Sequence, residues 1–203
     1  MRISSPRRHL IALGLTGTLL GSVWAQDKAP APQVKLSTSL GDIVLELNPE
    51  KAPKSVDNFL QYVKDKHYDG TIFHRVIDGF MAQTGDPTGT GRGGSMLPDL
   101  EPEFNDVPHV RGSVSMARAR TENSANSQFY IVFYPKFALD RKYTNFGRVI
   151  GNMAAVDAIH RGEPPLDPTK IVQASIAADN VPPPPASMPD PVGEQIIAGA
   201  AGN

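Results

Sequence analysis

The residues able to do chemistry gather in two stretches. The first reads Phe73-His74-Arg75-Val76-Ile77-Asp78-Gly79-Phe80-Met81-Ala82-Gln83-Thr84-Gly85-Asp86. Two strand-like runs flank Asp78-Gly79, a dipeptide suited to a tight hairpin turn. One hairpin would then carry an arginine, a phenylalanine, a methionine and a glutamine. Taken alone, Phe80 and Met81 also suit a core, and Arg75 a surface. The second stretch joins Ser113-Val114-Ser115-Met116-Ala117-Arg118-Ala119 to Asn126-Ser127-Gln128-Phe129-Tyr130-Ile131. On a strand, Gln128 and Tyr130 share one face while Phe129 and Ile131 share the other. That alternation predicts a lined groove outside and a packed core inside. A permanent cation with directed donors beside amides and apolar walls suits holding and orienting a ligand.

Other chemistries find less support. The chain has no cysteine, which excludes a thiol nucleophile, a thiolate zinc site and a disulfide framework. Gly89-Thr90-Gly91-Arg92-Gly93-Gly94 matches the glycine pattern of dinucleotide sites. That pattern works only where a helix follows, and Pro98 and Pro102 oppose one here. The run therefore reads as a flexible surface loop, and Asp86 and Asp99 read as solvated loop acids. His67, His74, His109 and His160 show no metal-ligand spacing, and no serine elbow is present.

The elements that must position these residues follow from periodicity. Val34–Thr38 and Ile43–Leu47 form a hairpin around Ser39-Leu40-Gly41-Asp42. Pro53 opens a helix whose Val56, Phe59, Leu60 and Val63 make one apolar face. Strands are predicted near 71–76, 80–84, 112–116, 128–133 and 145–150. A second helix is predicted from Asn152 to Arg161, capped by Asn152 and stopped by Gly162. A closing strand covers 170–176. About eight strands with hairpin-like links predict a mainly β fold: a closed eight-stranded antiparallel barrel with two helices capping its ends.

The segments F-H-R-V-I-x-x-F-M-x-Q-x-G-D, S-M-A, S-Q-F-Y-I and L-D-x-K-Y…F-G-x-V follow one another from Phe73 to Val149. In that order they resemble a bacterial exported cyclophilin-type peptidyl-prolyl cis-trans isomerase, and the resemblance covers about Val34 to Ile176. It implies the eight-stranded barrel, and rotation about Xaa-Pro bonds without cofactor or metal. It implies that Arg75 is catalytic and that Phe80, Met81, Tyr130 and Leu139 line a proline pocket. Gln83, Ala117, Arg118 and Gln128 match positions that bind the peptide backbone, and Tyr143 matches the pocket rim. Arg118, Tyr130 and Tyr143 stand where many members have asparagine, phenylalanine and histidine. Ala138 replaces a tryptophan tied to cyclosporin binding, which implies weak binding of that drug. The alternative reading is a proline-peptide-binding chaperone module with little turnover.

The rest of the chain divides by composition. Arg2, Arg7 and Arg8 precede an apolar run from Leu10 to Ala25 containing three glycines. A basic head, a short apolar middle and a small residue at the exit read as a signal peptide over 1–25. The run is shorter than the roughly 20 apolar residues that span a bilayer. Loss of three arginines and no acid would take the formal charge from −1 to −4. Such a chain lacks the basic footprint of nucleic-acid binding. Residues 26–33 read as a linker and 34–178 as the isomerase domain. Residues 179–203 read as a Pro/Gly/Ala-rich tail, with six prolines between Val181 and Pro191. The expected setting is periplasmic. The expected partners are unfolded or flexible proline-containing polypeptides, with no nucleic acid and no lasting membrane insertion. The expected state is a monomer.

Overall fold

The computed structural model describes residues 30–183. The signal peptide, residues 26–29 of the linker and residues 184–203 of the tail lie outside the described residues. The fold belongs to a compact unit that begins at Ala31. Its eight strands are β1 Gln33–Thr38, β2 Gly41–Leu47, β3 Arg75–Ile77, β4 Met81–Thr84, β5 Ser113–Met116, β6 Phe129–Val132, β7 Asn145–Gly151 and β8 Ile171–Ile176. Two helices are α1 Pro53–Lys64 and α2 Met153–Ala158. The first strand thus takes Gln33, one residue that composition assigned to the linker.

All eight strands share one antiparallel sheet in the order β3-β4-β6-β5-β7-β2-β1-β8. The expectation of a closed barrel is corrected: the sheet is open. Its edges, β3 and β8, share no ladder. Isolated bridges at Ile72–Lys170 and Val76–Gly162 join the two sides, with the Gly70 amide donating to the Ile171 carbonyl at 2.8 Å and the Ala174 amide to Asp69 Oδ1 at 2.9 Å. The stretch entering β8 contains Pro164, Pro165 and Pro168, which have no amide to donate to a ladder. β3 begins only at Arg75, later than the strand predicted at 71–76. The residues before it form the Ile72–Lys170 bridge, where the Phe73 amide donates to the Thr169 carbonyl at 2.9 Å and the Ile171 amide to the Thr71 carbonyl at 2.8 Å.

Period-2 alternation sorts β4 and β6 into two layers. Ala82, Phe129 and Ile131 join the main core with Phe59, Tyr68 and Phe146. Met81, Tyr130 and Val132 face the other way and form a small second cluster. In the core, the Phe59 ring meets Phe129 edge-on with centroids 5.1 Å apart. Helix α1 presents Val56, Phe59, Tyr62 and Val63 to that core. Its N-terminus has no side-chain cap of its own. Glu103 supplies one from a distant loop, accepting from the Lys54 amide at 2.9 Å and the Ser55 amide at 2.8 Å. Helix α2 is shorter than predicted. Asn152 caps it as expected, accepting from the Ala155 amide at 3.3 Å, but the helix ends at Ala158 rather than Arg161. The next residue, Ile159, is extended and buried, so core packing turns the chain before Gly162.

Candidate active site

The site begins with one cross-strand row. Arg75 on β3 pairs with Gln83 on β4, and Gln83 pairs with Tyr130 on β6. Tyr130 in turn pairs with Ser115 on β5. Directly paired residues point to the same face of a sheet. The neighbouring row, Ile77–Met81–Val132, lies on that face too. The turn between β3 and β4 holds the expected Asp78-Gly79, with Gly79 at φ 66°, and also Phe80, predicted to open the strand.

A cavity of about 240 Å³ opens on this face. Arg75, Phe80, Met81, Gln83, Ala117, Arg118, Tyr130, Leu139 and Tyr143 line it. Nine of the ten residues expected at the site therefore converge on one pocket. Met81 and Tyr130 form its buried floor, with 1% and 5% of their surface exposed. Tyr143 stands edge-on to Tyr130 at 6.1 Å. Leu139 comes from a single 3₁₀ turn, Phe137–Leu139. Burial pushes the Tyr130 hydroxyl well above the ordinary tyrosine range, so it stays neutral.

Arg75 is held from two sides. Its Nε donates to Glu163 Oε2 at 2.9 Å, and Nη1 reaches Gln83 Oε1 at 3.5 Å. Glu163 carried no signal in the sequence, because it lies 88 positions away in a proline-rich loop. The tenth residue, Gln128, lines an adjoining cavity of about 430 Å³. Gln83, Ala117 and Arg118 line both cavities. Arg118 is built into the wall between them. Its guanidinium donates to the carbonyls of Ala119, Arg120 and Lys142 and lies 4.6 Å from the Tyr143 ring centre.

The loop after β4 lies at the surface as expected, with Thr88, Thr90, Gly91 and Arg92 exposed, and Asp99 is exposed too; the expectation corrected is that of a solvated Asp86. Asp86 is fully buried, and the loop is folded over it. Burial raises its pKa, but hydrogen bonds from Thr88, Gly93 and Gly91 outweigh that and hold it below the ordinary aspartate range. Gly85, just before it, has φ 86°, and a side chain there would also strike the Ser127 carbonyl. Among the described residues, no cluster of histidine and acidic side chains could hold a metal ion. No helix among them is long and apolar enough to cross a membrane.

The family model for cyclophilin type peptidyl-prolyl cis-trans isomerases matches residues 33–176. The chain belongs to this family. A probable peptidyl-prolyl cis-trans isomerase of Brucella suis is 42% identical over 190 residues, covering 85% of this chain and 97% of the relative. The human peptidyl-prolyl cis-trans isomerase-like 3 is 45% identical over 132 residues, 63% of this chain and 81% of the relative. Among solved structures, the cyclophilin AquaCyp293 from Hirschia baltica superposes with a TM-score of 0.69 at 30% identity, covering 75% and 76% of the two chains. A Cryptosporidium parvum cyclophilin type isomerase, solved in the presence of the dipeptide ala-pro, gives 0.67 at 32% identity, over 71% of this chain and 98% of its own. The cyclophilin domain is therefore an enzyme, a peptidyl-prolyl cis-trans isomerase.

Proposed function

We propose that this cyclophilin isomerises Xaa-Pro bonds in exported polypeptides, in the periplasm, with Arg75 as its catalytic residue. The observation carrying the site assignment is the single row Arg75–Gln83–Tyr130 lining one pocket. The basic head and short apolar run of residues 1–25 support export and removal of that segment.

The amide barrier is about 18–20 kcal/mol, because twisting abolishes resonance. Bringing uncatalysed exchange of tens of seconds to milliseconds needs about 10⁴–10⁵-fold, or roughly 5–7 kcal/mol. In the twisted state the proline nitrogen becomes pyramidal and regains a lone pair. A donor aimed at that nitrogen binds the twisted state better than either planar one. Arg75 has further N–H groups beyond those given to Glu163 and Gln83, in the fixed fork of a guanidinium. One charged hydrogen bond contributes about 1.5–3 kcal/mol. The remainder comes from holding the substrate. Phe80, Met81, Tyr130 and Leu139 enclose the proline ring, with Tyr143 at the rim. Gln83, Ala117, Arg118 and Gln128 hold the peptide on one side of the rotating bond.

Exchange spectroscopy on an Xaa-Pro peptide with substoichiometric full-length protein tests the assignment. Arg75→Ala is expected to slow interconversion at least tenfold while the fold is kept. Full exchange rates in that variant would remove Arg75 from the mechanism. Intact mass of the protein recovered from the periplasm tests export: loss of the segment through Ala25 is expected. Since Trp24 is the one tryptophan, the processed chain should show tyrosine emission only.

A further inference from the structure

The glycine-rich loop and the buried Asp86 have no part in the mechanism above, yet they are bonded to it. We propose that Asp86 is a positioning residue for isomerisation, fixing the orientation of Gln128 and Gln83 and, through them, of Arg75. The proposal rests on the roles given above to Arg75, Gln83 and Gln128.

Each link is directional. Asp86 Oδ1 accepts from the amide and the hydroxyl of Thr88, both at 2.8 Å. Oδ2 accepts from the amides of Gly91 at 2.7 Å and Gly93 at 3.0 Å. The loop amides point inward to the carboxylate, and the carbonyls of Gly91 and Gly93 are left to Gln128. Gln128 Nε2 donates to them at 3.2 and 2.7 Å. With its NH₂ end engaged there, Gln128 presents Oε1 to Gln83, whose Nε2 donates at 2.8 Å. Gln83 must then turn its own Oε1 toward Arg75. An amide has one donor end and one acceptor end. Flipping either glutamine would set donor against donor, at Arg75 or between the two amides. The polarity met by the guanidinium is thus set by a carboxylate two side chains and one loop away.

Glycine is required for this approach. A side chain on Gly93 would collide with Asp86 Oδ1 and with Thr88. Gly91, at φ 78°, lies against the buried His74 ring, where a Cβ would come within 3.2 Å of it. The loop is therefore clamped between Asp86, His74 and Gln128.

A double-mutant cycle on the full chain tests the relay. Asp86→Asn puts an NH₂ against inward-pointing amides, and is expected to lower kcat five- to tenfold. In a Gln128→Ala background, where the relay is already cut, the same change is expected to alter kcat less than twofold. The side-chain NH₂ resonances of Gln83 are expected to shift in Asp86→Asn. Thermal melts run alongside show whether each variant is folded. If Asp86→Asn does not fold, Thr88→Val removes one donor from the carboxylate and takes its place, with a two- to threefold effect expected. An equal factor in both backgrounds, or unmoved Gln83 resonances, would make Asp86 a purely structural residue and overturn the proposal. Loss of the underlying assignment looks different: Arg75→Ala would then remain fully active.

Discussion

Arg75 and Gln83 are partners across the β3–β4 ladder, and the glutamine oxygen lies 3.5 Å from the arginine Nη1. The arginine is therefore aimed by its own hairpin and steadied by Glu163 from outside it. Aim matters more than charge in such an arrangement. Arg75→Lys keeps the charge and loses the planar fork that can serve two partners and a substrate together. Its expected kcat/KM is about tenfold or more below that of the parent, read by peptide exchange. A lysine variant of full activity would show that charge alone suffices.

Tyr130 contributes a ring rather than an ionisable group. Because burial keeps its hydroxyl neutral, the pH profile of kcat/KM should show no step from it between pH 8 and 10. Tyr130→Phe keeps the ring and should alter kcat/KM less than about threefold. A tenfold loss would assign the hydroxyl a direct role.

Glu103 stabilises a helix to which it does not belong. It takes up two free amides and the Ser55 hydroxyl at the start of α1. Glu103→Ala should cost about 1–2 kcal/mol, by analogy with the loss of an N-cap. Denaturant unfolding measures this directly. An unchanged midpoint would mean that water replaces the carboxylate at no cost.

Stability should fall on the acid side in two stages. Burial lowers the pKa of His74 and of His67, against the opposing pull of nearby carboxylates. Unfolded histidine takes up a proton near pH 6.5, before the folded form does. The unfolded state thus binds more protons as pH falls below that point, and stability declines. Asp86 acts in the same direction at lower pH. Its folded pKa is depressed, so its contribution is complete above about pH 4 and lost as pH falls through the folded value. Melting temperatures from pH 8 down to pH 3.5 should stay level to about pH 7 and then drop. Equal melting temperatures at pH 8 and pH 5 would contradict this.

Much of the site could be read in the sequence because strands impose a short, rigid period. Alternation separated Gln128 and Tyr130 from Phe129 and Ile131, and the structure keeps that division. The Asp78-Gly79 pair located the β3–β4 hairpin, but a third turn residue, Phe80, sets the register that pairs Arg75 with Gln83. Motif order supplied Leu139 and Tyr143, which no local pattern marks. Glu163 and Glu103 were invisible, because a carboxylate in a loop looks the same whether it is solvated or bonded to a distant element.

The loop at 86–94 marks the boundary most clearly. Its glycines matched a dinucleotide-site pattern, and its prolines downstream opposed a phosphate-binding helix. They could not show that the loop folds inward onto Asp86, since that depends on amides meeting a carboxylate in a dry site. The openness of the sheet was decided in the same way. Strand count and turn chemistry are local and were present in the sequence. Whether the edge strands β3 and β8 meet in a ladder depends on which amides face each other across the seam, and only the tertiary structure brings those edges together.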